Sequence, residues 1–191
     1  KKAVTITAGS DTKIYDGTPL TKDSYTNTAL ATGDEIESVT VAGSQTVVGS
    51  SNNVPSAAVI KNAADEDVTA SYEITYANGT LEVTKKAVTI TAGSDTKIYD
   101  GTALTKDSYT STDLAEGDSY ASVTVTGSQT VVGSSDNVPS AAVIVNAAGD
   151  TVTSSYDITY ANGTLTVTEK AVTITADSDS KEYDGTALTK D

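Results

Sequence analysis

Hydrophobic and polar residues alternate along most of this chain with the period of two that is typical of β-strands. Within residues 1–84, Thr, Val, Ile and Tyr recur in such runs, while Gly, Asn, Asp and Ser gather between them. No window carries the apolar stripe of a helix, although a short helical turn over 20–30 is compatible with the pattern. The chain is therefore predicted to be mostly β, with strands at 3–8, 12–15, 38–42, 46–48, 56–60, 71–76 and 80–84 of the first copy.

The same pattern returns after 84 residues. Residues 1–84 and 85–168 are identical at 68 of 84 positions, and residues 169–191 match 85–107 at 19 of 23. A repeat of this length indicates an array of similar modules, each long enough to enclose a small core. The sequence thus predicts repeat domains at 1–84 and 85–168. It also predicts the start of a third at 169–191, whose first strand is either detached or packed on the second domain.

An Asn-Gly dipeptide occurs near the end of each complete copy, as Asn78-Gly79 and Asn162-Gly163. Both residue types tolerate the positive φ that a type I′ turn requires, so a two-residue β-hairpin is predicted at each site. Such a hairpin would place Tyr76 opposite Leu81, with both side chains on the apolar face.

The sequence contains no linker between the first two copies. Residues 81–92 lack Gly and Pro and are predicted to form one extended segment. Apolar residues occupy odd positions before Lys85 and Lys86 and even positions after them. The buried face is therefore expected to change sides at these two lysines, where the strand would leave one core and enter another. With so little free chain, we expect a stiff, elongated array joined by an unbroken strand.

Composition restricts the possible functions. The chain has no His, Cys or Met, and its net charge is −14. Without Cys there is no disulfide and no thiolate metal site, and the acidity disfavours simple electrostatic binding to nucleic acid or anionic lipid. We therefore expect no enzyme activity, no catalytic residue, no cofactor or metal site and no nucleic-acid binding. No stretch has the apolar length of a membrane span, so we expect no direct membrane insertion, and we expect a monomer.

The sequence is compatible with two other chemistries. The carboxylates at 65–67 could bind Ca²⁺, but the second copy has Gly149-Asp150-Thr151 at these positions, and a solvated loop is the better explanation. An isopeptide bond from a lysine to Asn53 or Asn62 could lock strands together. The simpler interpretation is that the recurring lysines are solvated charges that protect edge strands, namely Lys2, Lys13 and Lys22.

A six-residue motif, Lys-x-Tyr-Asp-Gly-Thr, begins at Lys13, Lys97 and Lys181. Asp-Gly favours a turn after a short strand. Ile14 corresponds to Glu182 in the third copy, so position 14 is expected to point outward and Tyr15 inward. The motif residues of the two complete copies are Lys13, Tyr15, Asp16, Gly17, Thr18, Lys97, Tyr99, Asp100, Gly101 and Thr102.

With the opening Ala-Val-Thr-Ile-Thr-Ala and the closing Ile-Thr-Tyr-Ala-Asn-Gly-Thr-Leu, this motif resembles the signature of YDG and MBG ("mostly β-grasp") repeat domains. Those domains occur in large bacterial surface proteins and adhesins, and the resemblance covers the whole repeat. It implies small, tandem β-grasp-like domains outside the cell, attached to the cell wall or secreted, with no catalytic residues.

The function implied is a structural stalk or spacer that projects a distal adhesive or functional domain from the cell envelope. Its expected partners are neighbouring repeats of the same chain and, through another domain, a host glycan or protein. The alternative is a repeated adhesive module that itself binds glycan or protein and gains avidity by repetition.

Overall fold

The computed structural model describes residues 1–189, which form a mostly β chain. Lys190 and Asp191, the last two residues of the predicted third repeat, lie outside the described residues. Two short 3₁₀ turns precede β6 and β13, at Thr69–Ser71 and Thr153–Ser155. The strands are β1 (Lys2–Ala8), β2 (Asp11–Ile14), β3 (Tyr25–Asn27), β4 (Glu35–Ala42), β5 (Gly49–Lys61), β6 (Tyr72–Ala77), β7 (Gly79–Thr84), β8 (Lys86–Ala92), β9 (Asp95–Ile98), β10 (Tyr109–Ser111), β11 (Ser119–Thr126), β12 (Gly133–Val145), β13 (Tyr156–Ala161) and β14 (Gly163–Thr168).

Each complete copy of the repeat forms the same two sheets. One sheet of the first copy has three strands in the order β3-β1-β6, with β1 parallel to β6. The other has four strands in the order β2-β7-β5-β4, with β7 parallel to β2 and antiparallel to β5. Val4, Ile60 and Tyr72 pack together from the two sheets, so the sheets face one another across a core. The second copy repeats these pairings in sheets β10-β8-β13 and β11-β12-β14-β9.

The mostly β prediction is confirmed, and most predicted strands are present with shifted ends. Two local elements are absent. The segment predicted as a strand at 46–48 contains no strand residue; Gln45 just before it forms an isolated bridge with Leu20. The compatible helical turn at 20–30 is absent, because Tyr25–Asn27 pairs with β1 as an edge strand.

The Asn-Gly dipeptides do not form the predicted hairpins. The strands on either side of Asn78-Gly79 belong to different sheets, since β6 pairs with β1 whereas β7 pairs with β5 and β2. Neither residue of the dipeptide has a positive φ. Tyr76 is partly exposed, whereas Leu81 is fully buried, so the two do not share a face. The same correction applies to Asn162-Gly163, where β13 and β14 lie in separate sheets.

Gly79 is needed for space. A Cβ atom at this position would lie 2.2 Å from the carbonyl oxygen of Gly9, and at Gly163 it would lie 2.3 Å from that of Gly93. Both contacts are to backbone, which cannot move aside as a flexible side chain could. The glycine therefore allows the chain to cross from one sheet to the other next to the end of β1 or β8.

The hydroxyl of Tyr76 supports a bend in the long strand β5. Ala57 has a φ of 51°, and the register between β4 and β5 shifts near this point. The bend leaves the N–H of Ala58 to donate to the Tyr76 hydroxyl over 2.9 Å. Because an unpaired buried N–H costs about 1–3 kcal/mol, this bond explains the position of the tyrosine.

The junction between the copies is almost unbroken, because only Lys85 separates β7 from β8. The predicted change of buried face is confirmed: Leu81 and Val83 are buried before the lysines, and Val88 and Ile90 are buried after them. The prediction that the strand leaves one core and enters a separate one is wrong. Leu81, Val83 and Val88 belong to one continuous cluster of packed side chains.

Residues 169–189 contain no strand, and their side chains are exposed. Val172, Ile174 and Tyr183 are 78%, 93% and 97% exposed, although they correspond to apolar positions of the first and second copies. The start of the third copy is therefore detached, which is one of the two arrangements that the sequence allows.

A substitution to Asn distinguishes a glycine required for space from a glycine required for a turn. Gly163→Asn should lower the free energy of unfolding by about 2 kcal/mol or more, because its side chain meets backbone atoms. Gly149→Asn is the control: Gly149 has a φ of 87° with nothing within 4 Å of an added Cβ, and Asn tolerates this conformation. It should cost less than about 1 kcal/mol. Urea denaturation followed by circular dichroism measures both. Equal losses would contradict the close-approach explanation.

Candidate functional site

The motif Lys13–Thr18 folds into a turn that its own side chains hold together. Asp16 Oδ1 accepts hydrogen bonds from the Thr18 N–H at 2.9 Å and from the Thr18 hydroxyl at 2.8 Å. Lys13 Nζ donates to the same carboxylate at 2.6 Å and to the Thr18 carbonyl at 2.5 Å. Gly17 has a φ of 82°, which the turn requires. Each fixed residue of the motif other than tyrosine thus has a local role.

These bonds stabilise the ionised form of the aspartate. The hydrogen bond from Lys13, followed by those from Thr18, lowers the pKa of Asp16 to about 2. The pKa of Asp100 is lowered for the same reasons. The turn also forms in the detached start of the third copy, where Lys181 Nζ lies 2.9 Å from Asp184 Oδ1. The motif therefore holds this geometry without support from a sheet.

The turn directs Tyr15 into the second copy. Ile14 points outward as predicted, with 62% exposure. Tyr15 is 3% exposed, but Tyr99 in the same motif is 41% exposed, so the second copy, and not the core of its own copy, covers Tyr15. The ring of Tyr15 meets the ring of Tyr156 edge to face, with centroids 5.5 Å apart and planes at 79°. Such a pair contributes about 0.5–1.5 kcal/mol beyond the burial of its area. The tyrosine of the motif is thus an interface residue.

One carboxylate of the second copy receives both phenols. Asp118 Oδ2 accepts a hydrogen bond from the Tyr15 hydroxyl at 3.1 Å and one from the Tyr156 hydroxyl at 2.6 Å. The Tyr156 oxygen in turn accepts from the N–H of Ala115 at 3.0 Å. A turn positions the carboxylate, since the Asp118 N–H donates to the Ala115 carbonyl and Gly117 has a φ of 83°. Both tyrosine hydroxyls therefore have hydrogen-bond partners inside the contact.

We call the two sides of this contact the tyrosine face and the acceptor face. The tyrosine face of the first copy consists of Tyr15 and Val48. The acceptor face of the second copy consists of Ala115, Asp118, Val152, Ser155 and Tyr156. Tyr15, Ala115, Val152 and Tyr156 belong to the continuous apolar cluster that also contains the junction residues, with Val48 packed against it.

An open groove of about 310 Å³ lies beside the contact. Thr46 and Val47 line it from the first copy, and Ala147 and Ala148 from the second. Its charged side chains are the carboxylates of Glu116 and Asp118, and the latter already receives two phenols. The groove is thus an extension of the interface.

The interface changes the acidity of its tyrosines. Burial first, and then the charge and hydrogen bond of Asp118, raises the pKa of Tyr15 to about 12. Burial and the bond to Asp118 also raise the pKa of Tyr156 above its ordinary value. In both cases the phenolate would lie in a partly desolvated site next to a carboxylate, so the neutral form is favoured.

The other candidate residues have structural partners. Lys2 Nζ donates to the Leu30 carbonyl, Lys22 pairs with Asp11, and Asn62 bonds to Glu66. Buried Asn53 donates to the carbonyls of Gly9 and Lys22, so its amide bridges two backbone segments. These contacts give no support to the isopeptide hypothesis. Lys85 is exposed and Lys86 is half-buried at the junction.

The carboxylates at 65–67 are also engaged. Asp65 pairs with Lys61 at 2.9 Å, Glu66 accepts from Asn62, and Asp67 caps the N–H of Thr69. Within residues 1–189, no cluster of three or more His, Cys, Asp or Glu side chains is arranged to hold a metal ion. Over the same residues, no helix has the length and apolar character needed to cross a membrane.

Comparison with known proteins does not identify the chain. No known protein family matches it, and no curated protein does. Among solved structures, it has a similarity to the fibronectin(III)-like modules of Clostridium thermocellum CbhA, at 16% identity and a TM-score of 0.25. That match covers 92% of this chain and 100% of the other. A TM-score this low does not establish a common fold, and the resemblance to YDG and MBG domains stays a prediction.

The sequence indicates that Tyr15 points inward, but it does not indicate which residues Tyr15 contacts. Asp118 follows an ordinary turn, and Tyr156 begins a strand, so neither has a local signal that marks an interface. The informative signal is the absence of a linker at Lys85, because it places the two copies next to each other. It indicates that an interface exists but leaves its residues undefined.

Truncating the motif tyrosine in each copy separates an interface role from a local one. Tyr15→Ala should lower the free energy of unfolding by about 3 kcal/mol, because it removes a buried ring and leaves Asp118 with one donor fewer. Tyr99→Ala removes the same side chain from the same turn, but Tyr99 is 41% exposed, so the loss should stay below about 1 kcal/mol. Urea denaturation measures the loss of unfolding free energy in both variants. Equal losses would show that the tyrosine acts only within its own copy.

Alkaline pH should weaken the contact between the copies. Because the folded pKa of Tyr15, about 12, lies above the unfolded value of about 10, its contribution is complete below pH 10. It should then be lost as the pH rises toward 12. Stability measured against pH should fall less steeply over this range in Tyr15→Phe than in the unmodified chain. Tyr99→Phe serves as the control, and its stability should decrease over this pH range as much as that of the unmodified chain. An equally steep decrease in Tyr15→Phe would contradict the assignment.

Proposed function

We propose that these repeats are structural stalk or spacer units of a bacterial surface protein, and that they project a distal adhesive or functional domain from the cell envelope. Each copy of the repeat would add a fixed increment of length as a tandem, β-grasp-like domain. The location outside the cell, on the wall or secreted, follows from the resemblance to YDG and MBG repeats and is part of the proposal.

The observation that carries the proposal is the combination of a one-residue junction with a closed contact beside it. Only Lys85 lies between β7 and β8, which leaves little free chain for bending. The Tyr15–Tyr156 pair and the shared carboxylate of Asp118 oppose rotation about that junction. A flexible tether would need neither feature. A spacer that must keep its length under load benefits from both.

The composition is consistent with this role. The net charge of −14 gives mutual repulsion along an array and with other copies, which favours extension and solubility. We expect a monomer without catalysis, whose partners are neighbouring repeats and, through another domain, a host glycan or protein.

Distance measurements between spin labels test the stiffness of the pair. The chain has no Cys, so Glu73→Cys and Asp157→Cys introduce labels at equivalent exposed positions of β6 and β13. A narrow distance distribution is expected. The control carries the same labels together with Tyr15→Ala and a Gly-Ser insertion after Thr84, and its distribution should be broad.

Small-angle scattering of the unlabelled chain tests its elongation. A maximum dimension close to that of one compact globule would reject the stalk. A distribution as broad in the parent chain as in the insertion control would reject the stiff array and favour a flexible tether.

A further inference from the structure

We propose that the exposed tyrosine face of the second copy is a docking surface for a further folded copy of the repeat, which binds through its own acceptor face. This proposal names a partner for the contact on which the proposed stalk depends. It does not require a location on a cell surface.

The tyrosine face of the second copy is preformed but uncovered. Lys97, Asp100 and Thr102 make the same bonds as in the first copy, with Lys97 Nζ 2.7 Å from Asp100 Oδ1. The turn therefore presents Tyr99 as it presents Tyr15, yet Tyr99 is 41% exposed where Tyr15 is 3% exposed. Val132 is 50% exposed, whereas the corresponding Val48 packs against the shared cluster. These apolar side chains differ from their counterparts in lacking a neighbour.

The acceptor face of the first copy is likewise preformed and open. The Tyr72 hydroxyl donates to Asp34 at 2.6 Å and accepts from the Ala31 N–H at 2.9 Å, as Tyr156 does with Asp118 and Ala115. Ala31 and Ser71 are exposed, although their counterparts in the second copy are 7% and 1% exposed. An acceptor face therefore has its geometry before a tyrosine arrives.

The two open faces carry the same groups as the two halves of the closed contact. The tyrosine face is apolar with one phenol donor, and the acceptor face offers an apolar floor with one carboxylate. The contact joins unlike faces, so each added copy recreates an open tyrosine face at the far end. The same contact can therefore repeat from one copy to the next along the array.

The partner is a copy joined directly to residue 168. Thr168-Glu169-Lys170 occupies the place that Thr84-Lys85-Lys86 occupies at the first junction, and residues 169–189 carry the matching strand and turn residues. A complete copy beginning there would hold its acceptor face near Tyr99 at high effective concentration. A separate chain would lack that tether, so docking within one chain is favoured.

A three-copy chain tests the docking. Residues 108–168 are appended after Asp191, which completes a third copy, and Tyr99→Ala is compared in the two-copy and three-copy chains. In the three-copy chain, Tyr99→Ala should shift the urea midpoint as much as Tyr15→Ala does in the present chain. In the two-copy chain the shift should be small. The conservative Tyr99→Phe retains the ring, so it should shift the urea midpoint less than Tyr99→Ala does.

The opposite end gives an independent measurement. A copy of residues 85–168 placed before Lys1 supplies a tyrosine face to Asp34, and Asp34→Ala should then cost more than it does in the present chain. A folded third copy with no added effect of Tyr99→Ala or Asp34→Ala would overturn the proposal. Failure of the added copy to fold in both designs would also overturn it, since docking requires a folded neighbour.

These results are separable from the stalk. The docking alone would be rejected if the distance distribution between copies one and two is narrow and Tyr99→Ala does not shift the urea midpoint of the three-copy chain. A strong effect of Tyr99→Ala in a three-copy chain that scatters as a compact globule would reject the stalk alone.

Discussion

The arrangement of the two copies depends on a carboxylate that accepts hydrogen bonds from two phenols. Asp118 binds Tyr156 of its own copy and Tyr15 of the preceding one. A tyrosine ring contributes strongly to an apolar contact, but its hydroxyl must find a partner once it is buried. Asp118 provides that partner at the edge of the contact, which allows both rings to be covered. The Tyr15–Tyr156 edge-to-face pair then completes an apolar cluster that extends across the junction.

This continuity makes the copies interdependent. Stability in a repeat array is approximately a sum of the stability of each unit and the coupling between neighbours. In this chain the coupling has two sources, because Lys85 fixes the approach of the copies and Tyr15 fixes their contact. Neither would suffice alone. A short junction without a contact could still bend, and a contact without a tether would lose the high effective concentration that the tether provides.

The sequence predicted the features that depend on local alternation. The strands and the change of buried face at Lys85 and Lys86 follow from which neighbours along the chain are apolar. The burial of Tyr15 does not, because Tyr99 lies in the same local sequence and is 41% exposed. The Asn-Gly prediction failed because a local turn preference competed with pairings between distant strands. β6 pairs in parallel with β1, and Gly79 opposes Asn53 of β5, so no strand is left free for a hairpin. The partners of Tyr15 were equally distant, since Asp118 is 103 residues away.

Near-identity of the copies does not show which residues matter, but their differences show what can be replaced. In the first copy Lys61 pairs with Glu37 at 2.8 Å and with Asp65 at 2.9 Å. The second copy has Val145, Ala121 and Gly149 at these positions, so the whole ion cluster is exchanged for small or apolar residues. The strand pairings around it are the same in both copies. Exposed ion pairs of this kind contribute little to stability, and their loss together leaves no unpaired charge behind. The fold therefore rests on the apolar alternation and on the buried bonds of tyrosine and asparagine.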